Sequence, residues 1–222
     1  MVLEDYKDII GTCAAITTIG HMLSGTVICK DIHKKRTSEG FDPMPFLGGV
    51  GMSILMLRYA WMLGDPTMIK VNVFGLIANT VYMAVYCYYS PHMKDTLALI
   101  SKAVIFVAVF LAYTQVEHPD KVEYRYGIIT TMLLLFLIAS PLIHLRKIIE
   151  TKDTSILPFP LIVMGTAVSF QWLLYGLIIN NVFVIFQNSV GFVLSLAQLS
   201  LFIIFPSKSS KTSVPNVEKK KD

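Results

Sequence analysis

Charge is scarce in this 222-residue chain: Asp, Glu, Lys and Arg make up 15% of it, against 54% apolar residues and a mean hydropathy of +0.61. A soluble domain carries charge at about a quarter of its positions, so this composition excludes one and points to an integral membrane protein. Cysteine is scarcer still. Cys13, Cys29 and Cys87 are odd in number, fall inside or at the edge of apolar runs, and show neither a disulfide framework nor metal-ligand spacing. No nucleophile constellation, phosphate loop or metal cluster is present, so neither an enzyme nor a cofactor is expected, and no nucleic-acid partner either. Met1 to Asp8 are acidic and lack the positive start of a cleavable signal peptide, which predicts that the first apolar run stays as a helix.

What remains is a series of long apolar runs. A spanning helix needs about 20 such residues to cross a core of roughly 30 Å, and seven segments meet that test: Ile9 to Cys29, Pro43 to Leu63, Met68 to Tyr89, Leu97 to Val116, Tyr126 to Lys147, Pro158 to Ile179 and Val182 to Phe205. Polar loops are expected at Lys30 to Asp42 and Glu117 to Arg125, tight turns at Gly64-Asp65-Pro66 and Asn180-Asn181, and a disordered tail after Phe205. Basic residues concentrate on one side. Lys30, Lys34, Lys35, Arg36, Lys94, Arg146, Lys147, Lys152 and the tail lysines share it, whereas the other side holds Lys7, Lys70, Lys121 and Arg125. The positive-inside rule then predicts an N-terminus outside and a cytosolic C-terminus.

The chain repeats itself at an offset of 116. Asn72-Val73-Phe74-Gly75 returns as Asn188-Ser189-Val190-Gly191, Tyr59-Ala60 as Tyr175-Gly176, and Ser24-Gly25 as Ser140-Pro141. The fourth segment has no partner, so the predicted fold is all-α, three helices, one linking helix, three helices, with units at 1–89 and 126–205, a linker at 90–125 and a tail at 206–222. One linking helix returns the second triplet to the starting side, making the units parallel rather than inverted. A carrier built this way would hold its ligand near the midplane.

Asn72 and Asn188 are the leading site candidates, about four and six residues into their helices on a sequence count. An uncharged amide costs free energy in hydrocarbon unless it faces a protein interior or a wet cavity, and it offers both donors and an acceptor to a hydroxylated ligand. Trp172 precedes Tyr175 by three residues, so both lie on one side of the sixth helix, and the indole offers a flat apolar face, the usual partner for the C–H face of a sugar ring, and one N–H donor. Met56 is its repeat equivalent, a flexible wall opposite a rigid one. Pro45, Pro141 and Pro158 are candidate hinges, with Gly25 in the first helix softening the chain without forcing a bend. Tyr59 and Tyr175 are assigned to gating or packing. None of the fifteen Asp and Glu residues lies inside a span, and His21 is the only central titratable candidate, so passive facilitation is expected. Arg58, about five residues from the end of the second span, reads as a snorkelling cation.

These residues together resemble the SWEET family of sugar uniporters over almost the whole chain up to Phe205. The resemblance rests on Asn72-x-x-Gly75 and Asn188-x-x-Gly191, on Trp172-x-x-Tyr175-Gly176, and on Thr151-Lys152-x-Thr154-Ser155 before Pro158. It implies two triple-helix bundles joined by a linker, a small sugar such as glucose held by Asn72, Asn188 and Trp172, and bundles that rock at helix prolines. A multi-pass home in the plasma membrane or Golgi and a homo-oligomer in the lipid bilayer are further expectations. Gly25 in place of a proline, and Met56-x-x-Tyr59-Ala60 in place of Trp-x-x-Tyr-Gly, resemble an animal-type member. An amino-acid or organic-acid carrier is the alternative, though the Pro-Gln dipeptides that mark one are missing. A seven-helix receptor would have no reason to repeat its first three helices, and no lysine stands in the seventh for a retinal.

Overall fold

The computed structural model describes residues 4–139 and 158–205, with Glu150, Lys152 and Thr154 between them. The described part is all helical. A short 3₁₀ turn, Glu4–Tyr6, leads into α1 (Lys7–Met22) and α2 (Gly25–Lys35), followed by α3 (Met44–Leu63), α4 (Pro66–Tyr88), α5 (Met93–Val116), α6 (Pro119–Ala139), α7 (Phe159–Ile178) and α8 (Val182–Ile204). Six described spans are long and apolar enough to cross a membrane, α1 with α2 counting as one. Together with α6 they give the expected order of three, one and three.

The first span departs from expectation in two ways. It is divided at Leu23–Ser24, where Ser24, Thr26 and Val27 bond carbonyls three residues back, tightening the chain into 3₁₀ geometry. A Cβ on Gly25 would lie 2.5 Å from the Tyr82 ring, so glycine here both allows the interruption and lets α4 approach. The helix then resumes to Lys35, through residues expected to form a loop. His33, Lys34 and Lys35 in its last turn suit the negative end of the helix dipole, and Arg36 closes it in the left-handed conformation at φ 58°. The loop expected at Glu117 to Arg125 is likewise shorter, because α6 starts at Pro119, a favoured first position. Glu117 holds this corner by accepting from the Tyr113 hydroxyl and Arg125, each at 2.6 Å, and from the His118 backbone N–H at 3.0 Å. Those donors, Tyr113 foremost, hold its carboxyl well below the usual range, at about 2.

Within each triplet the third helix packs between the first and second: α4 against α1, α2 and α3, and α8 against α6 and α7. The triplets meet through α1 on α7 and α3 on α6, while α5 lies on α3. The main buried cluster sits at that meeting, with Leu55, Tyr59, Val71, Tyr126, Trp172, Tyr175 and Val184 in it. Matched packing recurs at the 116-residue offset. A Cβ on Gly75 would stand 2.8 Å from Ser53 Oγ and 3.0 Å from Met22; one on Gly191 would stand 3.1 Å from Ser169 Oγ and 3.9 Å from Ile138. The turns match too, with Gly64 at φ 64° and Asn180 at φ 51°, a conformation that glycine and asparagine adopt most readily.

Candidate functional site

Asn72 lies six residues beyond Pro66, the first residue of α4, and Asn188 six beyond Val182, the first of α8. The two amides therefore sit at the same depth, correcting the unequal depths counted from sequence, because Pro66 and Thr67 belong to the helix. Each is half-buried and donates one amide hydrogen to its own helix four residues back, Asn72 to Met68 O and Asn188 to Val184 O, both at 2.8 Å. That bond restricts the side-chain rotamer. The carbonyl oxygen and the second N–H of each amide have no protein partner among the described residues. Gly75 and Gly191, one turn further on, bring α4 and α8 close to the second helix of their own triplets. Asn72 and Asn188 share no hydrogen bond among the described residues; they stand at equivalent positions of separate helices.

Trp172 is 92% buried, and its indole N–H donates to Thr18 Oγ1 of α1 at 2.8 Å, across the boundary between triplets. Thr18 in turn donates to Ala14 O. The Trp172 ring meets Tyr175 edge-on at 5.4 Å, as their spacing of three predicts. Met56, the repeat equivalent, is half-buried against the same cluster. His21 faces α7 near Gly165, and its Nδ1 is buried with no hydrogen-bond partner among the described residues.

Two tyrosines make hydrogen bonds between the triplets. Tyr175 donates to Asp65 Oδ2 at 2.7 Å, and Asp65 Oδ1 accepts from the Met68 N–H as the N-cap of α4. In the mirrored position Asn181 caps α8 through the Val184 N–H and donates from Nδ2 to Tyr59 OH at 3.0 Å. Tyr59 and Tyr175 are 116 residues apart, and so are Asp65 and Asn181. Each tyrosine of one triplet is thus tied to the third-helix cap of the other, at the face where α1 begins. Asp65 and Asn181 were legible in the sequence only as turn residues. Their shared offset with the tyrosines was the available signal.

The prolines fall at helix starts. Pro43 and Pro158 are N-caps, and Pro45 and Pro160 are the second residues of α3 and α7. In helix register Pro45 therefore pairs with Pro160 and Pro158 with Pro43, since the preceding loops differ by one residue. At these positions a proline removes no helical hydrogen bond, so these prolines impose no kink within the spans. Pro141 lies outside the described residues, as does the tail after Phe205. Thr154 is fully buried and donates to Phe205 O at 3.2 Å.

Two like triplets, tied together at one face and carrying equivalent amides at equal depth, define a two-repeat membrane carrier rather than an enzyme. A family model described as a sugar efflux transporter for intercellular exchange matches twice, over residues 8–94 and 125–210. The chain belongs to this family, the SWEET transporters. It is 29% identical over 205 residues to the sugar transporter SWEET1 of Drosophila pseudoobscura pseudoobscura, covering 91% of each chain. It is 30% identical over 207 residues to SWEET1 of Xenopus tropicalis, covering 91% of this chain and 95% of that one. The bidirectional sugar transporter SWEET9 of Arabidopsis thaliana is 29% identical over 211 residues, with 92% and 81% covered. A eukaryotic SWEET transporter solved at 3.7 Å shares the fold, with a TM-score of 0.84 at 22% identity, covering 92% and 98%.

Proposed function

We propose that this chain is a passive, bidirectional carrier of a small sugar such as glucose, working by alternating access between its two triplets. The observation that carries this reading is the pair of half-buried amides at equal depth, each with an acceptor and a donor unused by the protein. A sugar hydroxyl both donates and accepts, and such a pair can meet it from two sides. Trp172 and Met56 would supply the apolar contacts. The bonds of Tyr59 and Tyr175 to the opposite triplet would have to break for the N-terminal face to open, so they are assigned to a closed gate. The joints at Pro45, Pro158 and the Gly25 interruption, with Pro141, would take up the rocking. The N-terminus is assigned to the outside and the home membrane to the plasma membrane.

Uptake of labelled glucose into proteoliposomes, with and without an imposed pH gradient, tests this. The expected result is saturable equilibration that ignores the gradient in the wild type and is lost in Asn188→Ala at equal reconstitution. Accumulation above the outside concentration would overturn passive transport, and unchanged uptake in Asn188→Ala would remove that residue from the site.

A further inference from the structure

A cavity of about 500 Å³ lies between α3, α4 and α5. Its walls include Val50, Gly51 and Ile54 of α3, Ala84 of α4, and Val104 and Ala108 of α5. The wall is apolar; its one hydroxyl, Thr80 Oγ1, is already spent on Leu76 O at 2.6 Å. The cavity opens toward hydrocarbon, with Val104 61% exposed. Along α5 it runs from Ile100 to Leu111, which at 1.5 Å per residue is about 16 Å, roughly half the apolar thickness of a bilayer.

One helical turn beyond Ile54 stands Arg58, and one turn beyond Leu111 stands Thr114. Arg58 Nε donates to Thr114 Oγ1 at 3.2 Å, closing the same end of the groove. Among the described residues that is the one hydrogen bond to this guanidinium, and no carboxylate lies within ion-pair distance of it. Arg58 is five residues from the end of α3, about 7.5 Å inside the helix. A guanidinium remains charged there, and its planar fork of donors suits a phosphate. A long apolar groove ending at an unpaired cation has the shape and polarity of a phospholipid.

We infer that the cleft between α3 and α5 is a phospholipid site: one acyl chain lies in the groove past Ile54, Gly51 and Ala108, and the phosphate meets Arg58. The site is separate from the amides assigned to the sugar, since its α4 wall, Thr80 to Cys87, begins about two turns beyond Asn72.

The test is photocrosslinking of the full chain in phosphatidylcholine vesicles containing a phosphatidylcholine with a diazirine in mid-chain, compared with a diacylglycerol bearing the same diazirine. Mass spectrometry of the adducts should place the phosphatidylcholine label on Val50, Ile54, Val104 and Ala108. Losing a charge-assisted contact in Arg58→Gln should lower that label about tenfold, to the diacylglycerol level. Ala108→Trp, which fills the groove from its exposed side, should lower labelling with both probes while glucose uptake and thermal midpoint stay at wild-type values. Adducts spread evenly over the lipid-facing sides of α7 and α8 would overturn the proposal. So would labelling unchanged in Arg58→Gln, or chain-to-chain adducts at Val104 and Ala108, which would give the groove to a second copy.

Discussion

Buried polar groups in a membrane protein need partners, and the way each is satisfied separates structural from functional side chains. The Trp172 indole N–H is fully served by Thr18, so this tryptophan couples α7 to α1. Asn72 and Asn188 use one N–H each and keep the rest. Thr18→Val removes the oxygen that Trp172 needs, and interhelical hydrogen bonds in membranes contribute about 0.6 kcal/mol and at most about 1.7. The variant should therefore show a lower thermal midpoint in detergent by that order, with uptake reduced. A midpoint at or above the wild type would show that the indole finds another acceptor. Trp172 was legible from its spacing to Tyr175, whereas Thr18 was not. A threonine in an apolar helix usually bonds its own backbone, as Thr18 also does to Ala14, and nothing in the local sequence singles out the one that faces an indole 154 residues away.

Most helices could be read from apolar length and from their ends. Boundaries at Leu63, Val116 and near Ile178 and Ile204 were marked by glycine, asparagine or proline, and the structure keeps them within a residue or so. The first span could not be read in this way. Its interruption at Leu23–Ser24 has no proline to announce it, and its continuation to Lys35 depends on a polar turn that leaves the hydrocarbon while remaining helical. The close approach of the third helix in each triplet depends on Gly75 and Gly191. Adding a branched side chain at Gly191, where a Cβ already meets Ser169 Oγ at 3.1 Å, forces α8 away from α7 and carries Asn188 with it. Gly191→Val should lower the thermal midpoint and raise the KM for glucose; Gly191→Ala should do so less. An unchanged KM in Gly191→Val would detach the position of Asn188 from this packing.

The whole molecule is organised by its near two-fold repetition. Tyr175 with Asp65 and Tyr59 with Asn181 form a matched pair of bonds between triplets, but Tyr175 donates to a carboxylate whereas Tyr59 accepts from an amide. A hydrogen bond to a charged group contributes about 1.5–3 kcal/mol and a neutral one about 0.5–1.5, so the Tyr175 bond is the stronger hold on this face. Removing it with Tyr175→Phe should open the N-terminal face more than Tyr59→Phe does. Labelling of Met56→Cys by a membrane-impermeant thiol reagent, with the three native cysteines replaced by alanine, reads that opening. The expected order of rates is Tyr175→Phe, then Tyr59→Phe, then the parent; equal rates in all three would show that these bonds do not govern access. The repeat itself was legible as a single offset, yet which residues cross between triplets emerged only when the helices were packed.

Alternation of one site between two faces is the central claim, and counterflow measures it most directly. Proteoliposomes preloaded with unlabelled glucose are diluted into a trace of labelled glucose with no ion gradient. A carrier with one alternating site will drive the label transiently above its outside concentration, and the overshoot will vanish in Asn72→Ala and Asn188→Ala. Label that rises only to equality in the wild type, with no overshoot at any preload, would contradict alternating access and describe an open pore.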